Sequence, residues 1–492
     1  MLKKCVLSLG YCLLSVVLMS GGESEAQQDF RFEESEAFAS RLSTIEADVD
    51  LLKQIVLQGE TNEDDQEEGK FSHVSLSARI TEARGKASDC IKKGKKPPGP
   101  VVKLSGFFQA DAGFFHQDTN SVATLGRLQN GADFRRARLQ ALGNVADNIS
   151  YSIEFDFGFP GRPSFMDVWM QVDKLPLLGN VRVGQYRQPF SMTAWDSIKQ
   201  LTFLERPLPF LAFVPFRRLG VMSFDTNSDE SMTWAFAVFR ANADQYGNDI
   251  GNSGGFGGSA RVTWLPMDFD EAHYMHLGLG YDYSAPGNNS AFFRTPPEFF
   301  LGSQLTAGFV GTSGLPTPGA IDGVPFFANT GPQMVQNFQL LGPEWAGSVG
   351  SFHYQTEAVL ALVDQINGPT AYLPSAYAQA GIFLTGEHRP YNKQMGAFGT
   401  VEPLQPFVRC NSSGCCCGEG WGAWEVAGRW SYVDLNDKNI AGGRLTDYTF
   451  GLNWYLHTHA KFQFNYIHAE LVHPTLGESH TNIFATRCHL DF

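Results

Sequence analysis

The chain has 492 residues, of which 43% are hydrophobic and only 18% charged, with 40 Phe, 51 Gly and a formal net charge of -14. That acidity argues against nucleic acid as a partner, and beyond the N-terminus there is no run of about 20 apolar residues that could form a membrane helix. Membrane-crossing strands are not excluded, because they alternate apolar with polar residues and leave mean hydropathy near zero; here it is -0.18.

Residues 1–26 carry Lys3 and Lys4, an apolar stretch from Cys5 to Met19 and a small-x-small site at Ser24-Glu-Ala26. This is the pattern of a cleavable export signal. A retained anchor is the other reading, for which the apolar run is short. In 30–57, residues Phe38, Leu42, Ile45, Val49, Leu52 and Val56 follow one another at intervals of 4, 3, 4, 3 and 4. That is the a/d seam of a short coiled-coil helix, which would pair copies of the chain; an amphipathic helix lying on its own domain would show the same seam. Residues 58–100 run from acidic GETNEDDQEEG to basic KKGKKPPGP and read as a charged, Pro/Gly-rich linker.

From residue 101 to 492 the pattern changes to short alternating segments between turn residues. Strands are expected near 103–115, 133–143, 149–158, 165–173, 180–186, 218–226, 231–240, 257–265, 273–284, 334–342, 347–363, 376–386, 423–434, 445–456, 460–469 and 481–492. An even number of such segments, with tight turns at Asp147-Asn148 and His457-Thr-His459 and long loops at 187–217, 285–333 and 387–422, is the signature of an outer-membrane barrel. The fold class is therefore all-β: a 16-stranded antiparallel transmembrane β-barrel preceded by the short coiled-coil helix. A soluble sandwich or propeller also has many short strands. It has no need of aromatics near strand ends, such as Tyr151, Phe157, Trp424, Tyr432, Phe462 and Tyr466, which two membrane interfaces favour.

The segment FRRARLQALG, residues 134–143, shows what the two faces must meet. Side chains alternate along a strand, so Arg136, Arg138 and Gln140 share one face and Ala137, Leu139 and Ala141 the other. Arginine at mid-depth in lipid costs about 2–4 kcal/mol, so the arginine face is expected in a water-filled lumen. Arg135, off phase at the strand's start, is expected to snorkel to the rim.

Several segments resemble those of the phosphate-selective porins O and P: FRRARL (134–139), YSIEFDFG (151–158), GNVRVGQYRQPFS (179–191), LTFLERPLPF (201–210), Gly-Glu-His-Arg (386–389), GAWEVAGRWSYVDLND (422–437) and TFGLNWYL (449–456). They run in family order over most of the region after residue 101, and the final RCHLDF is similar to the aromatic-ended signal read by barrel-assembly machinery. The resemblance implies a homotrimeric sixteen-stranded porin in the outer-membrane lipid, without a cofactor. It also implies a third loop, here 187–217, folded into the lumen, and wall arginines that form a ladder for small, phosphate-like anions.

Alternation places Arg136, Arg138, Arg182, Arg261, Arg429 and Arg487 inward as ladder candidates; Arg187, Lys199, Arg206 and Arg217 are candidates at the constriction. Arginine suits the task because it stays charged and its planar fork makes two parallel hydrogen bonds to an oxyanion. The same alternation brings Glu154, Asp156, Asp167, Glu425 and Asp491 inward, so each arginine could instead be a satisfied ion pair. From residue 101 the chain has 18 Arg and 6 Lys against 34 acids, so no lysine-rich basic funnel is evident.

Enzymatic and metal chemistry have little support. Gly251-Asn-Ser253-Gly-Gly255 matches Gly-x-Ser-x-Gly, but a nucleophile elbow needs a helix after it, and the residues after Gly255 are Gly-rich and then strand-like. Cys410, Cys415, Cys416 and Cys417 fit a local bridge better than a zinc site, lacking paired Cys-x-x-Cys spacing. His457 and His459 read as a polar turn, and no metal site is expected. The reading is an outer-membrane porin giving facilitated diffusion of small anions, phosphate or polyphosphate; a general or sugar-permeable pore of low selectivity and an envelope-tethering barrel are the alternatives.

Overall fold

The computed structural model describes residues 100–158, 163–241, 255–302, 320–321, 323–407 and 420–492. The expected export signal, the coiled coil, the linker up to residue 99, Ser253 and Cys410, Cys415, Cys416 and Cys417 lie outside the described residues.

Alternating segments become barrel staves because each must turn one face to lipid and leave no unpaired edge. Among the described residues the staves are β1 (Val101–Gln117), β2 (Gly131–Ala146), β3 (Ile149–Asp156), β4 (Ser164–Leu175), β5 (Gly179–Arg187), β6 (Arg217–Thr226), β7 (Met232–Phe239) and β8 (Phe256–Asp270). The second half comprises β9 (His273–Ala285), β10 (Ala328–Val349), β11 (Phe352–Gln365), β12 (Ala371–Phe383), β13 (Ala423–Asp437), β14 (Ile440–His457), β15 (Ala460–His473) and β16 (Gly477–Asp491). They form a closed 16-strand antiparallel ring. β1 pairs with β2 on one side and with β16 on the other, from Phe107 opposite Asp491 to Gln117 opposite Thr481. Backbone bonds between Gly106 and Phe492, at 3.0 and 3.1 Å, finish the seam. A further strand of the sheet, Ser290–Thr295, pairs with the end of β10 and takes no place in the ring.

Each expected strand corresponds to one stave, with most staves extending beyond the alternating core. The turns at 147–148 and 458–459 are tight, as the sequence indicates. The boundary between β10 and β11 falls at Gly350-Ser351, where Gly350 takes φ +59, so the start of the segment expected at 347–363 belongs to β10. The connection 384–422 departs from strict alternation of tight turns and long loops. It leaves β12 at the end where the tight turns lie, Phe383 N–H donating to Ser351 O at 3.0 Å, and then enters the bore. There Tyr274 Oη donates to Arg389 O at 2.8 Å and Phe398 N–H to Asp196 Oδ1 at 2.8 Å.

The outward face is apolar: Leu139, Ile153, Val183, Phe236, Trp264, Leu279, Trp345, Phe450, Phe464 and Phe484 are all exposed. Inward, Arg136, Glu154, Arg261, Arg429, Lys461 and Arg487 are buried. A one-residue slip would exchange these sets, which fixes the register.

A bore flanked by polar inward residues should hold water; on one side it is packed with apolar side chains instead. The inward residues Val359, Ala361 and Val363 of β11, Leu373 of β12, Val433 and Leu435 of β13, Ile467 and Leu471 of β15 and Ile483 of β16 form an apolar wall at the long-loop end. Against it lie Phe190, Leu204, Leu208 and Phe213 of the segment 188–216, with Phe293, Phe299 and Phe327 of 286–327. Each fully buried Phe or Leu stabilises this arrangement by about 1.5–3 kcal/mol. Segment 188–216 is thereby held against β11–β16, and its opposite flank faces β2–β6.

Candidate anion-binding site

The third long loop, 188–216, contains two short helices, α1 (Met192–Trp195) and α2 (Leu208–Phe213), and a 3-10 turn at Ile198–Gln200. A one-turn helix leaves its last carbonyls without intrahelical donors, and two arginines supply them. Arg187 Nη1 donates to the carbonyls of Ala194, Trp195 and Asp196 at 3.1, 3.0 and 2.9 Å. Arg206 donates to those of Thr193 and Asp196 at 2.7 and 2.8 Å. Both guanidiniums fold the loop while keeping their charge free of any carboxylate within ion-pair distance among the described residues. For Arg206, burial and then the repulsion of Arg187, Arg136 and Arg217 push the guanidinium well below its ordinary pKa.

Glu205 is the loop's opposite pole. It accepts from Arg136 Nη2 at 2.8 Å, from Arg135 Nε at 2.9 Å and from Arg487 Nη2 at 2.9 Å. Burial raises the pKa of this carboxyl, but Arg135, Arg136 and Arg487 outweigh it and hold the group well below the usual carboxylate range. The inward position of Arg135 corrects the expectation that it reaches the rim. The pairing of β1 with β2 shifts register between Gln109 and Ala110, which stand opposite Arg136 and Phe134. This bulge leaves Arg135 over and turns two consecutive arginines inward.

Between this flank of the loop and the wall lies a cavity of about 200 Å³, whose lining includes Arg135, Arg136, Arg138, Arg206, Arg217 and Arg218. Among the described residues two carboxylates, Asp156 and Glu205, share that lining. Arg138 donates to Asp156 at 2.7 Å, and Arg217 makes a bidentate pair with Asp167 at 3.0 Å on each arm. Arg217 Nη1 is buried without a hydrogen-bond partner. Among the described residues Arg218 donates to the carbonyls of Ala241 and Arg217, at 2.8 and 2.9 Å.

The other candidates are dispersed. Arg182 donates to Gln171 Oε1 at 2.9 and 2.6 Å and stacks 4.1 Å from the Trp169 ring. Arg261 pairs with Glu344 at 2.7 Å and also donates to Gly396 O at 2.7 Å. Arg429 pairs with Glu298, and Arg487 with Asp111 at 2.7 Å. Lys199 reaches Asp491 at 3.2 Å. All six ladder candidates point into the barrel, but five of them are paired to carboxylates and only Arg136 and Arg138 line the arginine cavity. Sequence reading missed Arg135, Arg218 and the central role of Glu205. The motif LTFLERPLPF contained Glu205, yet nothing in its spacing tells where a loop carboxylate will land.

A larger cavity of about 520 Å³ lies at the tight-turn end, between the β8–β9 turn and the inserted segment after β12. Its carboxylates are Asp268, Asp270, Glu271, Glu387 and Glu402, with Lys393 and His388 as the basic groups. The bore is thus lined with opposite signs of charge in two places.

The profile of the family described as "Phosphate-selective porin O and P" matches residues 102–492. The chain belongs to this family. As a porin it is a channel and not an enzyme. A protein of Pseudomonas aeruginosa named Porin O is 22% identical over 414 residues, covering 79% of this chain and 88% of the relative. An uncharacterized Caulobacter vibrioides protein is 25% identical over 359 residues, 69% of this chain, and the match spans 63% of that protein's length. Among solved structures, OmpT of Vibrio cholerae in its trimer form aligns with a TM-score of 0.46 at 10% identity, covering 80% of this chain and 100% of its own. An anion-selective porin from Comamonas acidovorans aligns with a TM-score of 0.46 at 11% identity, with the same coverage.

Proposed function

We propose that this porin passes small anions, phosphate or polyphosphate among them, by facilitated diffusion along the flank of the bore between the third loop and β2–β6. The observation that carries the reading is the lining of the 200 Å³ cavity, six arginines against two carboxylates among the described residues. Among the described residues Arg206 and Arg218 there have no ion-pair partner, and Arg135 and Arg136 share a single carboxylate, Glu205. A tetrahedral oxyanion entering this space would accept from several planar donors at once. Sharing those donors with carbonyls and Glu205 keeps each contact moderate, as conduction requires. Membership of a family described as phosphate-selective supports the same direction. Export by a signal in residues 1–26, assembly as a homotrimer in the outer membrane and a tethering or oligomerising role for the coiled coil at 30–57 complete the proposal.

The acidic 520 Å³ cavity favours a second reading, a pore of low selectivity, because an anion leaving by that end would meet five carboxylates. Single-channel recording in planar bilayers decides between them. Reversal potentials in a salt gradient give the anion preference, and added phosphate should block chloride current at concentrations well below those of the chloride. A reversal potential near zero with no block would support the unselective pore.

A further inference from the structure

On the outer wall, at the long-loop end of the β15–β16 pair, polar residues occupy rungs that elsewhere carry apolar groups. Cross-strand partners there are Val472 with Glu478, Glu470 with His480, His468 with Asn482 and Tyr466 with Phe484. The Tyr466 and Phe484 rings touch at 4.9 Å and lie on the membrane side of the group. Aromatic residues of this kind settle at the headgroup level. The histidines and glutamate are therefore at or just above the membrane surface.

The hydrogen bonds define the imidazole. Asn482 Oδ1, which can only accept, receives Tyr466 Oη at 2.8 Å and His468 Nδ1 at 2.7 Å. The proton of a neutral His468 must then sit on Nδ1, leaving the Nε2 lone pair facing Glu470 Oε1 at 3.2 Å. A positive charge there, a second ring proton or a metal ion, satisfies both electron pairs. Two ligands bonded at about 2.0–2.2 Å to one zinc-like ion stand roughly 3.0–3.5 Å apart, so the spacing already fits a shared metal. His480 supplies a third ligand. Its ring stacks on His468 at 5.7 Å and 13°, its Nδ1 is shielded and without a partner, and one ligand atom from each of His468, Glu470 and His480 lies within 4.8 Å of the others. Asn482 plays the part of the outer partner that fixes a metal-binding imidazole.

From this we infer that His468, Glu470 and His480 form a site for a divalent cation of the zinc type on the outer rim of the barrel, with an open position toward the headgroup layer. Two imidazoles and one carboxylate suit Zn²⁺ or its neighbours over Mg²⁺ or Ca²⁺, which prefer all-oxygen sets. The ion would pin β15 to β16 beside the seam where β16 meets β1.

The test uses the full chain folded in detergent, its thiols first blocked with iodoacetamide so that Cys410, Cys415, Cys416 and Cys417 take no metal. Titration with Zn²⁺ should reveal one saturable site per chain. His480→Asn and Glu470→Gln should each weaken it at least tenfold, while His457→Asn should leave it unchanged. In the unsubstituted protein, Zn²⁺ should protect His468 and His480 from diethyl pyrocarbonate, read by mass spectrometry, which needs no variant to fold. Absence of a saturable site, or equal modification of both histidines with and without Zn²⁺, would overturn the assignment.

Discussion

Glu205 of the third loop and Arg136 of the wall meet through two near-parallel hydrogen bonds, Nη2 to Oε2 at 2.8 Å and Nη1 to Oε1 at 3.1 Å. The pair fastens the loop that bears Arg206, a guanidinium without a carboxylate partner among the described residues, to the strand that lines the cavity. Glu205→Gln keeps the shape but removes the charge shared by Arg135, Arg136 and Arg487. Breaking a buried pair in this way costs about 3–5 kcal/mol, so thermal unfolding in detergent should begin at lower temperature. The reversal potential should move toward anions, because three guanidiniums lose their common counter-charge. An unmoved potential would show that these arginines do not face the ion path.

Arginines without a carboxylate should control phosphate block more than arginines held in neutral pairs. Arg206→Gln removes a charge held by carbonyls and by the Phe210 and Phe216 rings, with no carboxylate partner among the described residues, and block by phosphate should weaken by about tenfold, equivalent to about 1.4 kcal/mol. The double change Arg138→Gln with Asp156→Asn removes a pair joined at 2.7 Å and leaves net charge unaltered. Its block should stay within about twofold of the parent, because both charges line the same cavity and their joint removal leaves its net charge unchanged. Equal loss in both variants would count against a special role for Arg206.

How far the sequence reveals this arrangement depends on the range of the interactions involved. Arg136 and Arg138 are placed correctly because alternation is a local property with period 2. Arg135 is not, since its inward turn comes from a bulge fixed by pairing with Gln109 and Ala110 on another strand. The apolar inner wall left a trace: AVLALV at 358–363 is apolar at consecutive positions, the pattern of a strand buried on both faces. What lies against that wall, Leu204 and Leu208 of the third loop, is set by tertiary packing and has no periodic signal. The hub at Glu205 is hidden for the same reason.

The lipid-facing surface makes a sharper stability test than any lumen residue. Phe450 stands in the middle of β14 and is 55% exposed on the outer face. Phe450→Arg should destabilise the barrel in phospholipid vesicles by about 2–4 kcal/mol, the cost of arginine near the midplane. Phe450→Leu keeps an apolar contact and should fold nearly as well as the parent. Urea titration of vesicle-folded protein, monitored by tryptophan fluorescence, measures both. Equal stability of the two variants would mean that this stave faces something other than hydrocarbon.

The acidic cavity opposes the arginine cavity, and screening offers a way to weigh it. Asp268, Asp270 and Glu271 lie at the β8–β9 end of its lining, with Lys393 reaching Asp268 at 2.5 Å. Asp270→Asn with Glu271→Gln removes two carboxylates without touching that ion pair, and anion preference should rise. The gain should be large in about 0.01 M salt, where charges act over about 30 Å, and nearly absent at about 1 M, where they act over about 3 Å. Arg206→Gln should shift preference the other way under the same conditions. If the double variant behaves like the parent at low salt while Arg206→Gln does not, ions bypass the acidic cavity and selectivity resides in the arginine flank alone.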